Sequence, residues 1–174
     1  VSSVEGAKIM AQQGSDQNLT CETCPQYLWL DESFLDRPDG HRWICSPPLR
    51  NQREEFRELA RNGAFSIFAT DHCAFTRQDK DNWDGRNVST VANGLPGLGA
   101  IAHLVWRLFQ SDPERAASEL ALRLSKTPAQ LACMEHKGEI RLGADADLVI
   151  LNPHGPERPI RSSLADTHES YPGF

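Results

Sequence analysis

Only two segments of this chain read as strands of a parallel sheet, and two parallel strands cannot bury both of their faces. The run Ala64-Phe65-Ser66-Ile67-Phe68-Ala69 is mostly apolar and suits a strand covered on both sides. Leu19-Thr20-Cys21-Glu22-Thr23-Cys24 is a second strand-like run, stopped by Pro25. Helical periods alternate with them. Val4, Ala7 and Ala11 precede the first, Phe56, Leu59 and Ala60 lie between the two, and Leu98, Ile101, Ala102, Val105, Leu108 and Phe109 follow. The order helix, strand, helix, strand, helix implies right-handed βα units over a parallel sheet, an α/β fold. With so few strands, the chain is expected to be part of something larger.

Local signals place the helix ends. Ser2 with Glu5, and Asn51 with Glu54, have capping-box spacing. Gly14 and Gly63 stand where closing glycines belong. Asp112-Pro113 and Thr127-Pro128-Ala129-Gln130 are expected to open two further helices, the second again with a capping box. Residues 31 to 42 and 72 to 97 read as loops, the second long enough to be functional. After Gly138 the texture changes. Ile140 and Leu142 alternate with charge, Gly143 to Asp147 reads as a turn, and Leu148 to Leu151 as a strand, so a β-hairpin and a domain boundary near residue 137 are expected.

Composition excludes several classes. A net charge of -6 over 174 residues argues against a nucleic-acid partner, which needs a basic footprint. No apolar run reaches the roughly 18 residues of a membrane span. Five cysteines, an odd number, read as reduced thiols and point to a cytoplasmic protein.

The sharpest chemical signal is Thr70-Asp71-His72-Cys73, at the carboxyl end of the second strand. Ligands of α/β folds bind outside that end, and a carboxylate there can ligate a metal or move a proton. The alternative is that Asp71 only caps the following turn. Strand alternation would turn His72 away from Asp71, which favours a structural role for the histidine. Cys21 and Cys24 are spaced C-x-x-C, but no second pair completes a zinc site, and a redox pair belongs at a helix start. The segments Cys45-Ser46-Pro47-Pro48-Leu49-Arg50 and Asn93-Gly94-Leu95-Pro96-Gly97 could present backbone groups to an amide-like ligand, or could be stiff connections and nothing more.

Taken together these stretches resemble the cyclic amidohydrolases: dihydropyrimidinase, D-hydantoinase and allantoinase. The matching residues are Val1-Ser2-Ser3, Glu22 to Leu28, Ser46 to Arg50, Ala69 to Cys73, Asn93 to Gly97, Gly138-Glu139-Ile140 and Gly143 to Ile150, in the family's order. The resemblance implies the C-terminal part of a (β/α)8 TIM-like metal-dependent hydrolase barrel plus part of a small β-sandwich. Residues 1-137 would hold the last strands and helices of the barrel, with 112 to 137 appended to it, and residues 138-174 part of the composite sandwich. It implies two divalent metal ions, typically zinc, with most ligands outside this chain. Asp71 matches the family aspartate that is both metal ligand and catalytic acid/base. Ser46 and Asn93 match positions whose backbone groups hold a small cyclic amide. Ring opening would give an N-carbamoyl amino acid. A homo-oligomer, tetrameric in full-length relatives, is also implied.

The early His-x-His pair, the bridging lysine and two later histidines of the family have no counterpart in this sequence. Gln26 stands where allantoinases and dihydroorotases tend to carry histidine, which tilts the reading toward hydantoinase or dihydropyrimidinase. Besides an allantoinase or dihydroorotase activity, the residues leave open a non-catalytic scaffold or assembly protein on the same fold, and a small thiol-redox or zinc module built on Cys21 and Cys24.

Overall fold

The computed structural model describes residues 1–13, 19–155 and 168–174. Its centre is a parallel pair, β1 (Glu22–Thr23) and β2 (Ile67–Phe68), with Glu22 opposite Ile67 and Thr23 opposite Phe68. Both strands are shorter than the apolar runs that contain them. Flanking backbone bonds nonetheless continue the ladder. Ser66 N–H donates to the Cys21 carbonyl at 2.7 Å and Ala69 N–H to that of Thr23 at 3.0 Å.

Seven α-helices are described beside this pair. Helix α1 is Val4–Gln12, α2 is Pro25–Trp29, and α3 is Arg53–Arg61. Then come α4 (Arg77–Asp81), α5 (Ile101–Phe109), α6 (Pro113–Ala121) and α7 (Thr127–Leu131). The expected apolar faces are buried in part: Val4 and Ala7 on α1, Phe56 and Ala60 on α3, and Val105, Leu108 and Phe109 on α5 are buried, whereas Ala11 and Ala102 are exposed and Leu104, not among the expected residues, is fully buried. Leu98 stays outside α5 and is exposed. Phe65, fully buried, lies with its ring centroid 5.0 Å from that of Phe56, which joins the root of β2 to α3. Arg57 on α3 lies over the Trp29 ring at 4.1 Å and donates to the Leu28 carbonyl at 2.7 Å, fixing α3 on α2.

The helix-end expectations are met in part. Asp112 caps α6 by accepting from Arg115 N–H at 3.0 Å. Gly63, at φ +88°, closes α3: its N–H reaches the Ala60 carbonyl, and Ala64 N–H reaches that of Leu59. That pairing needs a left-handed residue, which glycine adopts without a Cβ penalty. Three capping boxes are corrected. Ser3, not Ser2, caps α1, through Gly6 N–H. Gln52 precedes α3 without a side-chain cap, because its Oε1 is spent on Val4 N–H of the neighbouring helix. Thr127 begins α7 as expected but without a capping box, since α6 runs into α7 through a π-helical turn, Leu122–Lys126, whose backbone already serves the amides a cap would take. Arg123 in that turn reaches the Phe65 carbonyl and Glu119. The expected stop at Gly14 lies outside the described residues.

Two loops hold more structure than their composition indicated. Residues 31 to 42 contain a 3-10 turn, Glu32–Phe34, and begin a second, Gly40–Trp43. Residues 72 to 97 contain α4 and the 3-10 turn Val88–Thr90. The hairpin expected after Gly138 is absent among the described residues 138 to 155, which carry no strand. Strands need a laddered partner. Here the backbone instead folds back on residues 135 to 137, with Asp145 N–H on the His136 carbonyl and Lys137 paired with Asp145 at 2.8 Å. Leu142 and Ile150 are left 100% and 96% exposed.

Residues 168–174 return to the body of the chain. His168 N–H donates to the Phe75 carbonyl at 3.2 Å, Trp43 Nε1 donates to that of Ser170 at 3.0 Å, and the Trp43 and His168 rings meet edge to face. Burial, reinforced by the charges of Lys80 and Arg42, pushes the His168 pKa down from its ordinary 6.5 to about 4. Folding therefore favours neutral His168, and its stabilisation is complete above pH 6.5 and lost as pH falls toward about 4. In the full-length protein this segment should open about tenfold more at pH 5.5 than at pH 7.5. Hydrogen exchange corrected for intrinsic rates measures this, and His168→Phe, which retains the ring contact, should remove the acid sensitivity.

Candidate functional site

Ser46 and Asn93 meet each other, and Asp71 follows β2 beyond its carboxyl end. From β2 the chain passes through Ala69 and Thr70 into Asp71, whose φ of +46° is left-handed. Asp is one of the few residues with a side chain that tolerates this region, by bonding to local backbone. This left-handed turn departs from the extended backbone of the strand. Its outcome is a solvent-exposed Asp71. The carboxylate charge is felt by the groups behind it. Cys24 rises to about 12, chiefly through burial, with Asp71 next. Cys45 rises to about 11, again through burial first, with Lys80 opposing and Asp71 adding to the rise. Both thiols are buried and free, so neither is a nucleophile near neutral pH.

The two amide-presenting loops meet each other. Asn93 Nδ2 donates to Ser46 Oγ at 2.8 Å, and Gly94 N–H donates to the Ile44 carbonyl at 3.0 Å. Ser46 and Asn93 are themselves exposed, while Gly94 to Gly97 behind Asn93 are buried. The Ser46–Pro47 peptide is cis. Tyr27, at the mouth end of β1, donates its hydroxyl to the Pro47 carbonyl at 3.2 Å. Arg50 closes the far end of the same loop on the Ser2 carbonyl at 2.9 Å.

His72 has the structural role expected for it, although β2 ends at Phe68 and strand alternation does not reach it. Its Nδ1 accepts from Gly97 N–H at 3.1 Å and from Leu98 N–H at 3.3 Å, and its backbone forms a parallel bridge with Leu95. The histidine thus docks the Asn93 loop onto the chain leaving β2. Gly94 permits that docking. At φ +135°, a Cβ on it would stand 2.3 Å from Cys73 Sγ. Pattern reading missed Lys80 altogether. It is fully buried, and its Nζ lies 3.4 Å from the Ile44 carbonyl, 2.6 Å from that of Ala92 and 2.5 Å from that of Gly94. No spacing rule flags such a residue, because its three partners come from distant stretches of the chain.

The arrangement offers an exposed carboxylate beyond the end of β2 and two loops whose peptide groups can pair with the N–H and C=O groups of an amide. As a metal centre it is incomplete. Among the described residues, no group of three or more His, Cys, Asp and Glu side chains could hold an ion. Asp71 fits as one donor of a set, and one carboxylate does not hold a metal alone. Cys21 and Cys24 are both buried, with no such cluster around them, and nothing in the geometry favours a zinc or redox module. No described helix is long and apolar enough to cross a membrane.

Residues 5–171 match the amidohydrolase family. A D-phenylhydantoinase from Escherichia coli O81 (strain ED1a) is 36% identical over 166 residues, covering 92% of this chain and 35% of that protein. Among solved structures, D-hydantoinase from Bacillus sp. AR9 superposes with a TM-score of 0.73 at 30% identity, covering 84% of this chain and 34% of the other. Dihydropyrimidinase from Brevibacillus agri NCHU1002 gives 0.69 at 28% identity, covering 84% and 33%. The chain spans about a third of the length of these relatives.

Proposed function

The chain belongs to the amidohydrolase family and carries part of its (β/α)8 barrel, and from that premise we propose that the full-length protein opens the amide bond of a cyclic diamide of the hydantoin or dihydropyrimidine type. The product is an N-carbamoyl amino acid. The observation that carries the reading is the contact between the Ser46 and Asn93 loops, with Asp71 beyond the carboxyl end of β2. Relatives named for hydantoin and dihydropyrimidine substrates favour these rings over allantoin, as Gln26 also does.

In this reading, backbone groups at Ser46 and Asn93 pair with the ring's own amide groups and hold the scissile carbonyl in one orientation. Fixing the ring makes attack by water nearly unimolecular, which removes an entropic part of the barrel-mouth reaction's activation barrier. Asp71 takes the proton of the attacking water and returns it to the ring nitrogen as the C–N bond breaks, so that the carboxylate is regenerated. The family is metal-dependent, generally with two ions, and bound metal would lower the pKa of that water. Zinc as the metal, with Asp71 as the donor from this chain, belongs to the proposal. So do a domain boundary near residue 137, a homo-oligomer and a cytoplasmic location.

The test is a substrate panel. Full-length protein, loaded with divalent metal, is given hydantoin, 5-substituted hydantoins, dihydrouracil, dihydroorotate and allantoin. N-carbamoyl product is expected from the hydantoins or dihydrouracil. Turnover of allantoin or dihydroorotate alone would move the assignment within the family. Metal binding without turnover of any ring would overturn the enzyme reading in favour of a scaffold.

A further inference from the structure

We propose that Lys80 is a positioning residue that sets the separation and facing of the two ring-binding loops. Its ammonium pins Ile44, Ala92 and Gly94 to one point, directly behind Ser46 and Asn93. This rests on the ring-opening reading above and deepens it by naming what holds the ring site in shape.

The geometry is that of a built clamp. Lys80 has no exposed surface, and a charge is taken out of water only where its donors are satisfied. Three carbonyl acceptors match the three protons of an ammonium. Phe75 closes one side, with its ring centroid 5.3 Å from Nζ. Burial still lowers the Lys80 pKa to about 8, against smaller opposing effects of Cys45 and Cys73. Two of its carbonyl partners belong to the segment that carries Asn93, and the third lies two residues before Ser46. Among the described residues, one backbone bond, Gly94 N–H to the Ile44 carbonyl, joins the loops otherwise, apart from the side-chain contact between Asn93 and Ser46.

The lysine is itself held in register. Helix α4 has a full capping box, in which Thr76 Oγ1 accepts from Asp79 N–H and the Asp79 carboxylate accepts from Thr76 N–H. At its other end, Asp81 accepts from Arg42 Nε at 2.5 Å and Nη2 at 2.8 Å, and meets His41 at 3.3 Å. A five-residue helix with both ends anchored delivers one side chain to a fixed place. Nothing in the proton transfer proposed for Asp71 uses Lys80, so its effect falls on the binding and orientation of the ring.

The test compares Lys80→Met with wild type in the full-length protein. Methionine nearly fills the volume and donates nothing. Two readouts are taken: the KM-against-kcat split for the best ring substrate, and local hydrogen exchange. KM is expected to rise about tenfold or more, with a smaller fall in kcat as the orientation of the ring loosens. Exchange is expected to quicken over residues 44–48 and 92–97, with α3 and α5 unchanged. Lys80→Gln, whose amide keeps two N–H donors against the three of the ammonium, should show the same pattern at smaller amplitude, and it carries the test if the methionine variant fails to fold. Unchanged KM, or exchange quickened evenly through the chain, would overturn the proposal and leave Lys80 a general stabiliser. A wild-type protein that opens no ring would instead overturn the ring-opening reading, and the exchange pattern would still decide whether Lys80 clamps the loops.

Discussion

Asp71→Asn should lower kcat for ring opening by about 10²–10⁴-fold, the range typical of a positioned general acid/base. The amide cannot take a proton from water, and it supplies no negative charge. Asparagine is the informative replacement because of the backbone. Asp71 sits at φ +46°, a region that Asn shares with Asp and that alanine would enter at a cost of about 1–2 kcal/mol. Asp71→Ala would therefore mix strain with chemistry. The side chain is exposed and packs no core, so the melting temperature should move by no more than about 2 °C. Loss of turnover at an unchanged melting temperature assigns the carboxylate to the reaction. Wild-type kcat in this variant would return Asp71 to a turn-capping role.

Gly94→Ala is the second large effect, and it acts on binding. Two penalties combine. A φ of +135° is essentially closed to residues with a Cβ and costs roughly 1–3 kcal/mol. The new methyl would also stand 2.3 Å from Cys73 Sγ and 2.8 Å from Cys73 Cβ, contacts that force the loop away. Relief moves residues 92–97 off His72 and off the Lys80 clamp, so kcat/KM should fall by about 10²-fold or more, on an overpacking cost of about 1–3 kcal/mol added to the strain. The double variant Gly94→Ala, Cys73→Gly separates the two. It removes the steric part, so partial recovery is expected, with the backbone part remaining. Full wild-type kinetics in the single variant would show that this glycine does not hold the loop.

What could be read from residues alone was local or motif-borne. The apolar run before Thr70-Asp71 located the strand end, because a buried parallel strand has a composition of its own. Asp112 and Gly63 announced helix ends through chemistry that involves only neighbours. The capping boxes failed where a distant partner competed: Gln52 serves α1, and the π-helical turn makes Thr127 an interior residue. The true box at Thr76 and Asp79 has the same visible spacing, and was hidden by the polar, loop-like composition around it. The alternation at Ile140 and Leu142, and the run Leu148 to Leu151, mark surfaces suited to strands, yet a strand forms only against a partner, and none faces them among the described residues. Lys80 and the Ser46–Asn93 contact join segments 36 and 47 residues apart, a relation that periodicity does not encode.

The measurement that reaches the central claim most directly is a crystal structure of the full-length, metal-loaded protein holding a slowly hydrolysed cyclic diamide. The expected result is a ring whose amide groups lie within hydrogen-bond distance of main-chain groups at Ser46 and Asn93, with the Asp71 carboxylate on the metal and facing the scissile carbonyl. A ring bound elsewhere, or an Asp71 carboxylate turned to solvent on the outer wall of the assembled barrel, would contradict it.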